Sequence, residues 1–320
     1  MTPLHAGDRI DHFLLEELVS RGGMASVFRA TDTRTGTQVA IKVPHPEAEC
    51  DPVLFDRFRR EAEIGRRLHH PGIVKVLPDE KRSRVYMALE WVEGRLLRTL
   101  LDEEGTLPPA RALAIAAAVC DALHYMHGQG VLHRDLKPEN IMFCRDGSIR
   151  IIDFGIAALT GARRLTFGSF SRRMGTPDYA APEQVKGNRG DARTDVYQLG
   201  IVLYEMLTGQ TPFTGVNDLV VLNSRLVNDP VPPREANPQL CAGLEAVLLC
   251  ALERDPSRRY PSARHFAAAL STSHVIQPDV PHRAIPSPAP AAEPKALLYS
   301  GLAMIPAGIF GLLLYVATHQ

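Results

Sequence analysis

The sequence predicts an α+β fold in two lobes, a small β-rich lobe and a larger helical one, with a single apolar helix after them. Three observations carry this expectation. Over residues 10–93 short apolar runs alternate with period two and are interrupted by one amphipathic helical stretch. Over residues 95–270 apolar residues recur at helical spacing instead. Over residues 296–317 no charged residue occurs at all. A β-rich block followed by a helical block favours segregated lobes with a cleft between them over alternating βαβ units.

In the first block FLLEEL (13–18), SVFRAT (26–31), TQVAIKV (37–43) and VYMALEWV (85–92) read as strands, and PVLFDRFRREAEIGRRL (52–68) as the interrupting helix. In the second, ARALAIAAAVCDALHYMHGQG (110–130), TDVYQLGIVLYEMLTG (194–209) and GLEAVLLCALERD (243–255) read as helices. Together residues 10–270 form one expected domain, with an N-lobe over about 10–93 and a C-lobe over about 95–270. Residues 271–295 turn to Pro, Ala, Ser and His, a composition unable to bury enough apolar surface to offset chain entropy, and read as a semi-rigid linker. Residues 296–317 are 22 in all, counting both ends. At 1.5 Å per residue a helix of that length runs about 33 Å, enough for a hydrocarbon core of about 30 Å, so a transmembrane helix is expected.

Composition narrows the function classes. Lys plus Arg and Asp plus Glu are 36 each, a balance that argues against a nucleic-acid partner. Five cysteines without a CxxC pair read as reduced thiols in a cytosolic compartment. The 12 histidines show no metal-ligating spacing. The N-terminus has no apolar run of the signal-peptide kind, so none is expected.

The densest motif is His133-Arg134-Asp135-Leu136-Lys137-Pro138-Glu139-Asn140. Asp153-Phe154-Gly155 and Ala181-Pro182-Glu183 follow it, and Val39-Ala40-Ile41-Lys42 precedes it. In this order the four segments resemble the protein-kinase signature set HRDLxxxN, DFG, APE and VAIK. The wording GGMASVFRA, HRDLKPEN and GTPDYAAPE is similar to the bacterial eukaryotic-like serine/threonine kinases. The resemblance spans about residues 10–270 and implies the bilobal protein-kinase fold, with ATP and Mg²⁺ (or Mn²⁺) as cofactors and protein Ser/Thr hydroxyls as acceptors. A catalytically weak pseudokinase acting as a membrane-tethered scaffold is the alternative from another class, and a small-molecule kinase of similar fold a third.

Phosphoryl transfer is mostly positioning plus electrostatic stabilisation of spread negative charge, and the resemblance assigns residues to those tasks. Lys42 supplies a cation for the α- and β-phosphates and needs a carboxylate to fix it. Glu61 falls at the family's position for that carboxylate, with Glu63 as its neighbour and competitor; helical register does not separate them. Asp135 is the implied catalytic aspartate, Lys137 the implied γ-phosphate lysine, and Asn140 and Asp153 the hard oxygen ligands for Mg²⁺.

The phosphate loop falls on Val19-Ser20-Arg21-Gly22-Gly23-Met24-Ala25, followed by Ser26 and Val27. Here the chain departs from the family: Ser20 and Ala25 replace two of the three motif glycines. Where φ is unfavourable such a replacement is expected to cost about 0.5–1 kcal/mol. The hinge VYMALEWVEG places Leu89 at the gatekeeper position, with Glu90 and Val92 offering backbone groups to adenine. Val27 and Ala40 are the implied roof of that site and Met142 its floor. Asp195 resembles the aspartate that tethers the catalytic loop. Glu183 and Arg259, with Arg258 adjacent, resemble a buried ion pair of the C-lobe.

Arg134 implies regulation by a phosphate on the activation segment, residues 153–183. That segment carries Thr160, Thr166, Ser169, Ser171 and Thr176 beside Arg163, Arg164, Arg172 and Arg173. Autophosphorylation is expected at Thr166, Ser169 or Ser171, with Thr176 contacting Asp135. The terminal apolar stretch places the protein in the cell membrane as a single-pass protein with the kinase domain cytoplasmic. Ala303, Ala307 and Gly311 recur every four residues, a small-residue face suited to homodimer packing.

Overall fold

The structure, a computed structural model, describes residues 4–78, 82–153, 158–159 and 177–273. The N-lobe is built on an antiparallel sheet in the order β1 (Arg9–Ile10), β2 (Phe13–Arg21), β3 (Ala25–Asp32), β4 (Gln38–Pro44) and β5 (Met87–Glu90). Period-two alternation decides which residues face where. In β4, Val39, Ile41 and Val43 turn to one apolar cluster with Phe13, Leu15 and Phe28. The intervening Ala40 belongs to the other cluster, which runs through helix α2 into the C-lobe, and Lys42 shares that inner face. The alternation in TQVAIKV therefore aims the lysine at the cleft.

A short helix, α1 (Pro46–Cys50), leads into α2 (Pro52–Arg67). Asp51 caps α2 by accepting from the backbone N–H groups of Val53 and Leu54 at 2.8 and 3.3 Å, Pro52 opens it, and Arg66 and Arg67 close it against the negative end of the helix dipole. Phe58, Ala62 and Ile64 bury one stripe of this helix, and Glu61 lies among them. The chain after α2 then reaches the other lobe: Val74 N–H donates to Ile151 O and Ile151 N–H to Gly72 O, both at 2.9 Å. That exchange ties the end of α2 to the strand leading to Asp153.

The C-lobe begins with β6 (Gly94–Leu96), α3 (Leu97–Glu104) and α4 (Pro109–Gly128). Strands β7 (Val131–Leu132) and β10 (Ala158–Leu159) pair, and β8 (Ile141–Cys144) lies between β6 and β9 (Ile149–Ile151). Gly94 is required by closeness, since a Cβ there would stand 2.5 Å from the Phe143 carbonyl oxygen on β8. The remaining helices are α5 (Pro182–Val185), α6 (Ala192–Thr208), α7 (Asp218–Val227), α8 (Pro233–Ala236), α9 (Ala242–Ala251) and α10 (Ala263–Thr272). Helix α6 is the axis of the lobe: every residue from Thr194 to Leu207 is buried, which explains its apolar sequence on all sides. Asp191 caps its start and Gly209, at φ +75°, ends it in the left-handed conformation.

Among the described residues no helix is long and apolar enough to cross a membrane. The expected transmembrane stretch, 296–317, lies outside the described residues, as does the linker from residue 274 onward.

Candidate active site

The catalytic loop connects β7 to β8 and is suspended from α6. Asp195 is fully buried, and its carboxylate accepts the backbone N–H of His133 at 2.9 Å and of Arg134 at 2.7 Å, with His127 Nε2 at 2.7 Å. Burial alone would raise the pKa of Asp195, but the His127 hydrogen bond and the neighbouring imidazoles and amides outweigh it and hold the carboxyl below its ordinary value. Arg134, held by this tether, lies in left-handed backbone at φ +65°.

Within that loop the expected residues meet. Lys137 Nζ lies 3.0 Å from Asp135 Oδ2. Asn140 Nδ2 donates to the Asp135 carbonyl at 2.7 Å and reaches Asp135 Oδ2 at 3.4 Å. Burial pushes the Asp135 carboxyl up, with Lys137 opposing and Asp153 assisting. A carboxyl moved toward neutrality suits a group that receives or steers a proton.

From the N-lobe, Lys42 Nζ forms an ion pair with Glu61 and another with Asp153 Oδ1 at 3.2 Å. Burial disfavours the ammonium, yet Asp153 and Glu61 overcome it and hold Lys42 charged, above the usual lysine range. Burial likewise raises Glu61, against the pull of Lys42. Glu63, the competitor two residues on, is exposed, so the carboxylate facing the lysine is Glu61. Three elements therefore converge: β4 brings Lys42, α2 brings Glu61, and the chain after β9 brings Asp153 beside the loop of Asp135.

The oxygen donors fit a hard divalent cation. The nitrogen of the Asn140 amide is taken by the loop, which leaves its oxygen for a cation, and Asp153 adds a carboxylate whose side chain is 39% exposed.

The phosphate loop is the turn of the β2–β3 hairpin. Ser20 pairs with Val27 and Arg21 with Ser26, and Gly22 N–H donates to Ala25 O at 2.9 Å. Neither Ser20 nor Ala25 has positive φ; both are strand residues, so the expected conformational cost of losing glycine does not arise in this backbone. Gly22 also has no positive φ, and a Cβ there would meet Ala25 O at an ordinary 3.4 Å. Val19 is exposed on β2, while Gly23 and Met24 complete the turn.

At the expected adenine end, Ala40 and Leu89 are buried in the main core, and Val27 and Val92 pack against it. Met142 is half-buried on β8, opposite Leu96. Glu90 donates its N–H to Lys75 O at 2.9 Å. Of the regulatory residues, Arg134 is half-buried, and burial together with Arg189 lowers its pKa against Asp195. Its Nε is buried and has no hydrogen-bond partner among the described residues. Thr166, Ser169, Ser171 and Thr176 lie outside the described residues.

One network was not expected. Arg98 on α3 donates Nη1 to Glu205 Oε1 at 2.9 Å and Nε to Glu139 Oε1 at 3.2 Å, and it also bonds the Tyr179 hydroxyl. Tyr179 in turn donates to Glu205 Oε2. Burial and Glu205 push the Tyr179 phenol up, so it stays a neutral donor. This network joins α3, the catalytic loop, α6 and the segment before α5; Glu139, inside DLKPEN, and Tyr179, inside GTPDYAAPE, lie in motifs the sequence showed, whereas Arg98 and Glu205 do not. The braced ion pair was anticipated, and it forms with Arg259: its Nη1 and Nη2 donate to Glu183 Oε1 and Oε2, each at 2.8 Å.

The chain matches the family model described as protein kinase domain over residues 13–269. Serine/threonine-protein kinase PknB of Mycobacterium tuberculosis is 39% identical over 282 residues, covering 87% of this chain and 45% of that protein. PknB of Mycobacterium leprae is 37% identical over 316 residues, covering 97% of this chain and 49% of the relative. The chain thus spans about half the length of the curated relatives it matches. The crystal structure of the Mycobacterium tuberculosis PknI kinase domain superposes with a TM-score of 0.66 at 27% identity, covering 86% of this chain and 100% of that one. With its two lobes joined around Lys42, Asp135 and Asp153, this chain belongs to the protein kinase family, among the bacterial eukaryotic-like serine/threonine protein kinases.

Proposed function

We propose that the protein transfers the γ-phosphoryl group of ATP to serine and threonine hydroxyls of protein substrates, autophosphorylates, and signals from the inner face of a membrane. The observation that supports transfer most strongly is the convergence of Lys42, held by Glu61 and Asp153, on the loop that carries Asp135. In the transfer the acceptor oxygen bonds to the γ-phosphorus, the bond from that phosphorus to the β–γ bridging oxygen breaks, and the hydroxyl proton leaves. Asp135 orients that hydroxyl and accepts its proton, and Lys137, 3.0 Å away, offsets the negative charge beside it. Lys42 supplies fixed positive charge toward the nucleotide phosphates, already desolvated and oriented by its two carboxylates. Bound Mg²⁺, or Mn²⁺, neutralises phosphate charge; Asn140 and Asp153 are the residues to hold it.

A scaffold without activity was favoured only by the altered glycine loop, and the strand geometry at Ser20 and Ala25 removes that support. The buried Nε of Arg134, near Arg189 and without a hydrogen-bond partner among the described residues, supports a phosphate-regulated activation segment, with Thr166, Ser169 or Ser171 as acceptor and Thr176 directed to Asp135. The uncharged run 296–317 supports a single membrane span with the kinase domain on the cytoplasmic side, and Ala303, Ala307 and Gly311 a homodimer face.

The test is incubation with γ-labelled ATP, Mg²⁺ and a generic basic protein, followed by phosphoamino-acid analysis. Label on phosphoserine and phosphothreonine is the expected result. No label in protein with either Mg²⁺ or Mn²⁺ favours the scaffold instead.

A further inference from the structure

The catalytic loop is held by a second device besides Asp195. Gln198 is 2% exposed and lies one turn further along α6. Its Oε1 accepts the Leu136 backbone N–H at 3.1 Å, and its Nε2 donates to the Arg134 carbonyl at 3.0 Å. Those are the peptide groups on either side of Asp135. The Nε2 also lies 3.0 Å from Gln184 Oε1. Gln184, on α5, donates its own Nε2 to the same Arg134 carbonyl at 2.8 Å and accepts the Ala181 N–H at 2.9 Å.

Backbone groups have fixed polarity, so the N–H of Leu136 and the N–H of Ala181 dictate which end of each amide is oxygen. Only one arrangement satisfies both, and in it the two amide nitrogens meet on the Arg134 carbonyl. That carbonyl belongs to a left-handed residue, a conformation a non-glycine side chain keeps only when its surroundings hold it. Asp195 holds the N–H groups of His133 and Arg134 but makes no bond to the peptide after Asp135.

We propose that Gln198, seconded by Gln184, is a positioning residue for phosphoryl transfer. It fixes the backbone before and after Asp135 and couples the catalytic loop to the segment running from Ala181 into α5. A substrate seated on that segment then meets an aspartate already set at its working angle. This inference rests on the transferase reading above.

Wild type, Gln198→Met and Gln198→Glu forms of the full chain are compared for phosphorylation of one protein substrate with Mg²⁺ and ATP, and melting curves are recorded. Methionine keeps the volume and removes the three hydrogen bonds. The expected result is a kcat lower by about 10- to 100-fold, with the KM for ATP within about two-fold of wild type. Glutamate keeps an acceptor for Leu136 but, when ionised, faces the Arg134 carbonyl with a second oxygen. Protonation restores a donor there, so its kcat relative to wild type should rise as pH falls. A purely structural loss would not follow that protonation. A kcat for Gln198→Met within about two-fold of wild type overturns the inference. So does a flat pH ratio for Gln198→Glu, which alone decides the matter if the methionine form does not melt cooperatively. A wild type that labels no protein removes the transferase reading itself, a result distinct from either of these.

Discussion

Arg259→Met should be the most destabilising single change in the C-lobe among those that leave the cleft untouched. The guanidinium is fully buried and all of its N–H groups are placed. Nε donates to Glu253 O at 2.7 Å; Nη1 donates to Glu183 Oε1 at 2.8 Å and Arg193 O at 3.1 Å; Nη2 donates to Glu183 Oε2 at 2.8 Å and Arg254 O at 3.2 Å. Methionine fills the volume but strands a carboxylate that is only 8% exposed and keeps the Thr194 hydroxyl as a donor at 2.7 Å. An uncompensated buried charge of this kind costs about 3–5 kcal/mol. At about 2–4 °C per kcal/mol for a domain of this size, the melting temperature should fall by roughly 6–20 °C.

The pH dependence follows from the same pair. Burial raises the Glu183 carboxyl, but the Arg259 hydrogen bonds and charge outweigh it and hold it below its ordinary 4.5. A depressed folded pKa contributes stability that is present above pH 4.5 and lost as pH falls through the folded value. Wild type should therefore lose this increment in acid, and Arg259→Met should lack it. The double change Glu183→Met with Arg259→Met should recover part of the loss, because no lone charge remains. Urea and thermal melts of these three proteins measure this. A single-mutant cost below about 1 kcal/mol, the range of exposed ion pairs, would refute the account.

Lys42→Met should leave the fold intact and lower kcat/KM by at least about 100-fold, because it removes the preorganised cation and leaves Glu61 and Asp153 without a counter-charge; steady-state kinetics beside a melting curve checks this. Mass spectrometry after incubation with ATP and Mg²⁺ should find phosphate on Thr166, Ser169 or Ser171, and an unmodified segment in fully active enzyme would contradict it. Deleting residues 296–320 should move the protein from the membrane fraction to the supernatant, and unchanged partitioning would dismiss the anchor.

Much of this architecture was legible because its chemistry is local. The alternation of TQVAIKV placed Lys42 on the inner face, and the long periodic runs became α2, α4, α6 and α9. Strands β6 to β9 hold two to four residues each, too few for a period to register. Helices α3, α7 and α10, of 8 to 10 residues, were not among the runs read as helices. Within the site, helical register could not separate Glu61 from Glu63; burial against β4 did. The Arg98–Glu205 bond and the Gln198–Leu136 bond join residues 107 and 62 positions apart, and side chains of those types are common on any surface. Only the folded backbone brings them together. The glycine loop misled in the opposite direction: replaced glycines suggested strain, whereas the hairpin holds Ser20 and Ala25 in ordinary strand geometry.

The central claim is that Asp135 works on a hydroxyl beside a nucleotide already held by Lys42. Single-turnover phosphorylation by wild type and Asp135→Asn, at enzyme and ATP concentrations that saturate binding, tests it directly. Asparagine preserves size and removes the proton acceptor. The expected outcome is a transfer rate lower by about 10²- to 10⁴-fold with ATP affinity essentially unchanged. Equal rates in the two proteins would contradict it.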